Sequence, residues 1–177
     1  MAPPASPIPA RLKGSDAGRR REDADCRAMR RLVWRRLDEP GMEIAHVHSP
    51  NRASGTQIGR GHELRWLLGG ERLELEVIGD RQTTIELGDA DFFDVYASPF
   101  FNSLPVWRDA LIRGGPARDY VMRFVRVPEL TAVRSNQHYE PLGGRVVRYS
   151  SDSFSANIEF DEDGFVTRYG DLFERVS

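Results

Sequence analysis

From Trp34 onward, apolar and polar residues alternate. Leu64, Trp66 and Leu68 are interleaved with Glu63 and Arg65, and Leu73, Leu75 and Val77 with Arg72, Glu74 and Glu76. Phe154, Ala156, Ile158 and Phe160 are interleaved with Ser153, Ser155, Asn157 and Glu159. A period of two belongs to strands with one buried and one wet face. Gly69-Gly70 separates two such runs, Gly79-Asp80 ends the second, and Asp163-Gly164 divides Phe160 from Phe165-Val166-Thr167-Arg168-Tyr169, a hairpin signal. Residues 118–127 are apolar on both parities, as expected of a strand with neighbours on either side. Only residues 106–113 have helical character. The spacing predicts about nine strands joined as antiparallel hairpins. The fold class is therefore all-β: an antiparallel β-roll or half-open barrel with one short helical segment, because closure removes exposed strand edges.

Residues 1–27 differ. They begin Pro/Ala-rich, continue through Arg19-Arg20-Arg21-Glu22-Asp23, and hold almost no large apolar side chains. Such a stretch cannot offset its ordering entropy by burial. It is expected to be a disordered tail, with at most a short helix near residues 18–30, ahead of one domain over residues 28–177.

Composition narrows the function classes. A hydrophobic content of 40% lets the domain bury a sizeable core. A net charge of −2 gives no long-range attraction to nucleic acid or an anionic membrane. The single cysteine, Cys26, excludes an intrachain disulfide and a cysteine zinc site. No run approaches the roughly 20 apolar residues of a transmembrane segment, and the N-terminus lacks a secretory apolar stretch. The expected location is cytoplasmic. Oligomeric state is left open.

The candidate chemistry centres on residues 91–105. Asp91-Phe92-Phe93-Asp94-Val95-Tyr96 reads as a strand, and Ser98-Pro99-Phe100-Phe101-Asn102-Ser103-Leu104-Pro105 reads as a bend fixed by two prolines. Its phenylalanines and leucine must face a core or a ligand cavity. Asp91 and Asp94 suit acid–base chemistry, but i and i+3 on a strand point to opposite faces, and capping of the bend by one of them is the simpler role. His46 and His48 share one strand face and, with His62 and His138, could ligate a metal; the ordinary alternative is a wet face opposite Val47. Asp161-Glu162-Asp163-Gly164 lacks the later ligands of a calcium loop and reads as a turn. No nucleophile, metalloprotease or phosphate-loop motif is present, and no cofactor is implied.

Several segments are familiar in combination. The opening Trp34-Arg35-Arg36-Leu37-Asp38-Glu39-Pro40-Gly41-Met42-Glu43 and the acidic strand with its Ser-Pro-Phe-x-Asn-x-Leu-Pro continuation resemble the bacterial putative glycolipid-binding family, once a domain of unknown function. Gln137-x-Tyr139 and Phe160-Asp161-x-Asp163-Gly164-Phe165-Val166-x-x-Tyr169, followed by Leu172-Phe173, continue the match through residue 176. Phe101 departs from it, standing where the family often has threonine. The resemblance implies a β-rich roll or barrel that binds lipid or glycolipid, and it supplies no catalytic residues.

The resulting expectation is non-enzymatic binding of a lipid or glycolipid in a cavity of a curved sheet. Trp66, Phe100, Phe101 and Leu104 would contact the acyl part, and Asp94, Ser98, Asn102 and Ser103 the head group. Two alternatives stay open. One is an enzyme acting on a small apolar or glycosylated substrate, with Asp91 or Asp94 as acid/base. The other is an interaction module whose cavity is filled by its own side chains.

Overall fold

The structure, a computed structural model, describes residues 29–152 and 154–177. The expected tail, with its arginine run and Cys26, lies outside them. Among the described residues there are thirteen strands. They are β1 (Arg30–Arg36), β2 (Gly41–Ser49), β3 (Arg52–Gly59), β4 (His62–Gly69), β5 (Arg72–Val77), β6 (Arg81–Glu86), β7 (Phe92–Val95), β8 (Arg118–Arg126), β9 (Thr131–Gly143), β10 (Val146–Ser151), β11 (Phe154–Phe160), β12 (Val166–Tyr169) and β13 (Phe173–Arg175). The helix α1 (Ser103–Asp109) lies between β7 and β8.

All thirteen strands form one sheet, in the order β6-β5-β4-β3-β2-β1-β13-β12-β11-β10-β9-β8-β7. Every neighbouring pair is antiparallel except β7 and β8, which are parallel. Parallel neighbours need a crossover connection, and here the crossover carries the helical segment.

The all-β class holds, and the sheet is open and strongly curved. The chain itself requires the curvature. Strands lie about 4.8 Å apart, so the nine steps from β4 to β8 would span about 43 Å if flat. Yet one short segment touches both: Phe100 stacks on Trp66 of β4, and Asp109 accepts a hydrogen bond from Tyr120 of β8. The two edge strands, β6 and β7, are joined by residues 87–91 alone, which reach at most ~18 Å. Arg123 of β8 also donates to the Glu86 carbonyl at the end of β6.

Alternation decides which face is concave. Leu64, Trp66 and Leu68 of β4, Leu73, Leu75 and Val77 of β5, Tyr120 and Met122 of β8, and Tyr139 of β9 all point inward and are buried. Trp34 of β1 is fully buried, and its indole donates to the Val166 carbonyl at 2.8 Å. Small residues make room for a large one. Ala45, Gly55, Trp66 and Leu75 face each other across β2–β5, and the Trp66 ring lies over Gly55.

Candidate functional site

The segment expected to be a bend is helical. Residues Pro99–Asn102 form a 3-10 turn that runs directly into α1, and Ala110 ends it with φ of 51°. Pro99 occupies the start of the first turn and Pro105 the first turn of α1, where a fixed φ suits a helix and a missing N–H is least costly. Phe100 and Phe101 are buried against Trp66, with ring centroids 5.0 and 5.1 Å away. Leu104 and Val106 are buried as well. The far end is fixed by the Asp163-Gly164 turn. Trp107 packs edge-on against Phe165 at 4.8 Å and donates to the Asp163 carbonyl at 2.9 Å. A Cβ on Gly164 would sit 2.7 Å from the Trp107 ring, and Gly164 also has φ of +85°. The segment is thus a plug on the concave face, held at both ends.

Two buried carboxyl groups lie beneath it. Glu43 stands on the inward parity of β2, between Trp34 of β1 and Gln57 of β3. It accepts hydrogen bonds from Ser98 Oγ at 2.5 Å, Trp66 Nε1 at 3.1 Å and the Phe100 N–H at 3.4 Å. Gln57 faces the same carboxyl group, but its buried Nε2 makes no well-formed hydrogen bond among the described residues. Burial is the largest influence on Glu43 and raises its pKa to about 7, against the opposing pull of these donors.

Asp94 occupies β7 and accepts from Gln137 Nε2 at 2.6 Å. Gln137 Oε1 accepts from the Tyr139 hydroxyl at 3.3 Å, and that hydroxyl accepts from Asn102 Nδ2 of the plug at 2.9 Å. Burial raises the Asp94 pKa to about 6, with the Gln137 hydrogen bond opposing it. The phenols of Tyr139 and Tyr169 are pushed well above their usual range, mainly by burial and partly by the Asp94 charge. Asp91 lies apart. It pairs with Arg108 at 3.2 Å and accepts the Val121 N–H at 2.8 Å. Neither aspartate caps the plug; Glu43 takes that role.

A surface cleft among the described residues lies at the plug's far end and has a volume of about 760 Å³. Val47, Val106, Trp107, Ile112 and Phe165 give it an apolar floor, and Arg30, His48, Ser49, Arg113 and Asp163 a polar rim. Arg30 is paired with Asp163 at 2.6 Å, and Arg113 donates to the Glu162 carbonyl at 3.1 Å. A cleft of this size suits a small amphipathic ligand.

The residues expected to hold a ligand do converge, though on one another. Trp66, Phe100, Phe101 and Leu104 form a packed cluster; Ser98 is bound to Glu43; Asn102 is linked to Asp94 through Tyr139 and Gln137. The Ser103 hydroxyl is buried without a partner. Residues 98–105 line none of the larger clefts among the described residues. His46 lies on the outer face of β2, His48 stands at the bulge near the end of β2 on the cleft rim, and His138 lies on the outer face of β9 beside Asp119 at 2.7 Å. His62 sits at the start of β4 on the inward parity. No three potential ligands among the described residues are placed to hold a metal. Glu43 escaped the sequence reading because Met42 and Ile44 make the opposite parity of β2 equally apolar, which hides the odd acid on the buried one.

These features define a half-open β-barrel whose concave face is plugged by its own crossover segment. A family model described as "Putative glycolipid-binding" matches residues 53–175, and the chain belongs to that family. Among solved structures, a DUF1089 family protein from Pseudomonas aeruginosa shares the fold, with a TM-score of 0.63 and 19% identity over 77% of this chain and 92% of that one. No curated protein matches the chain. No helix among the described residues is long and apolar enough to cross a membrane.

Proposed function

We propose that the chain binds an amphiphile, a lipid or glycolipid, without transforming it. The apolar part rests on Val47, Val106, Trp107, Ile112 and Phe165, and the head group meets Arg30, His48, Arg113 and Asp163. The observation that carries this reading is the cleft, with an apolar floor, a polar rim and the volume of a small-ligand site. The family's description supports the ligand class. Trp66, Phe100, Phe101 and Leu104, together with Asp94, Ser98, Asn102 and Ser103, become ligand contacts only if the plug lifts. The acid–base alternative has less support. Asp94 is buried with a raised pKa, but Asp91 is engaged by Arg108 and by the backbone, so the two aspartates do not act as a pair.

The test is native mass spectrometry with lipid extraction, alongside titration with a fluorescent fatty-acyl probe. Wild-type protein should take up the probe, and Ile112→Glu, which puts a charge on the cleft floor, should weaken uptake at least tenfold. No co-purifying lipid and no probe uptake would end the proposal.

A further inference from the structure

Both buried carboxyl groups are wired to the plug, and among the described residues neither has a cation beside it. The groups that face Glu43 are Trp34 from β1, Gln57 from β3, Trp66 from β4 and the Ser98–Phe100 turn, all uncharged. Those that face Asp94 are Gln137 and Tyr139 from β9, Tyr149 from β10 and Tyr169 from β12, whose phenols all titrate above their usual range. Glu43 accepts from Ser98 Oγ and the Phe100 N–H at the plug's leading end, while the Ser98 N–H binds the Val95 carbonyl at 3.0 Å. The trailing end is held separately by Trp107 against the Asp163-Gly164 turn.

We propose that Glu43 is a proton-operated latch: neutral, it seats the leading end of the plug on the sheet; ionised, it releases that end and opens the concave face around Trp66 and Phe100. A carboxylate shielded from water and without a cation is costly, and three donors offset only part of that cost. Release lets the ionised group hydrate, so the open form prefers the deprotonated acid. The sign follows from linkage. Glu43 titrates near 4.5 when exposed and at about 7 when seated. The open-to-closed ratio is therefore flat at acid pH, rises as pH passes from 4.5 to about 7, and is flat again above. Its ceiling is ten raised to the shift, roughly 300-fold. Asp94 adds to the lower part of the same window, since it titrates at about 6. The latch is a property of the ligand-free chain; its link to ligand entry rests on the reading above.

Hydrogen exchange tests it without any ligand. After correction for intrinsic exchange, protection of the Phe100–Leu104 amides should fall roughly tenfold to 70-fold between pH 5 and pH 8 through Glu43, while β4 and β5 amides, which open only on global unfolding, stay better protected than the plug at every pH. Glu43→Gln should remove the part of that dependence above about pH 6, leaving only the share of Asp94, and Asp94→Asn should keep the upper part. Protection that is flat in the wild type, or unchanged in slope by Glu43→Gln, overturns the latch. Should Glu43→Gln fail to fold, the protonated-carboxyl infrared band of glutamate-labelled wild type decides. A component lost near pH 7 together with the fall in Phe100–Leu104 protection supports the latch; such a component with flat protection, or loss of all glutamate signal in the ordinary carboxylate range, refutes it. Probe uptake measured in the same buffers separates the two ideas: an operating latch with no uptake refutes the lipid reading alone.

Discussion

Substituting Gly55 by alanine tests the packing on which the plug rests. Gly55 faces Trp66 across β3 and β4, and an added Cβ would lie 2.3 and 2.4 Å from two atoms of the indole and 2.7 Å from the Ile44 carbonyl oxygen. Ordinary contact needs about 3.5–4.0 Å, so the ring must retreat by more than 1 Å. It has little freedom to do so, because its Nε1 donates to Glu43 and its faces meet Phe100 and Phe101. Overpacking of a tight core costs about 1–3 kcal/mol, and a buried hydrogen bond lost at Glu43 adds about 1–3. The gain from stiffening the unfolded chain returns about 0.4–1 kcal/mol. The expected net loss is about 2–4 kcal/mol, read as a drop of roughly 1–2 M in the urea midpoint if the slope is about 2 kcal/mol/M. Gly69→Ala is the control. Nothing lies within 4 Å of that Cβ among the described residues, so its stability should stay within about 0.5 kcal/mol of wild type. Trp66→Leu should absorb much of the Gly55→Ala cost in the double variant, because the two positions are in contact. A Gly55→Ala protein as stable as wild type would refute the account of how Trp66 is seated.

Three further outcomes are expected. Tyr139→Phe removes the hydroxyl between Asn102 and Gln137, leaving two buried polar groups unpaired, and should cost about 1–3 kcal/mol in urea unfolding. The folded pKa of Asp94 lies above its ordinary value, so its contribution to stability is greatest below the unfolded pKa of 3.8 and declines as pH rises through about 6. Asp94→Asn should therefore flatten the loss of stability between pH 4 and pH 8 by roughly 3 kcal/mol, and equal slopes in the two proteins would show that Asp94 is not the titrating group. Gly164→Ala drives a Cβ into Trp107 at a positive φ and should unfold at a temperature lower by several degrees, as scanning calorimetry would read.

Strands with strong contrast between their faces were legible. β4, β5 and β11 carry large apolar residues on one parity and charged or polar residues on the other. β3 (Arg52–Gly59) and β6 (Arg81–Glu86) hold few large apolar residues, and β9 (Thr131–Gly143) is mostly polar. Their pairing comes from neighbouring strands, so a rule based on period undercounts them. The convergence of Trp66 with Phe100, Phe101 and Leu104 followed from chemistry, since such side chains seek one another. Whether they enclose a space or fill it depends on sheet curvature, which no local pattern encodes. The two prolines misled for a related reason: the same fixed φ serves a bend and a first helical turn. Glu43, Gln57 and Gln137 were out of reach because a polar residue on a buried parity becomes meaningful only when its partner, distant in sequence, is known.

The strand order has a consequence for the route by which the chain folds. Read from one edge, the sheet runs β7 through β13 and then β1 through β6, so sequence order and spatial order agree everywhere except at one seam. That seam joins Trp34, Arg35 and Arg36 to Arg175, Glu174 and Phe173. Every other ladder is between consecutive strands. Closing this seam demands nearly the whole chain length, which makes it the slow, entropy-limited step. A circular permutant opened within residues 87–91, its old ends joined through a linker beside Ser177, turns the sheet into an uninterrupted succession of neighbours. It should refold faster than the parent while keeping the same plug and the same buried acids.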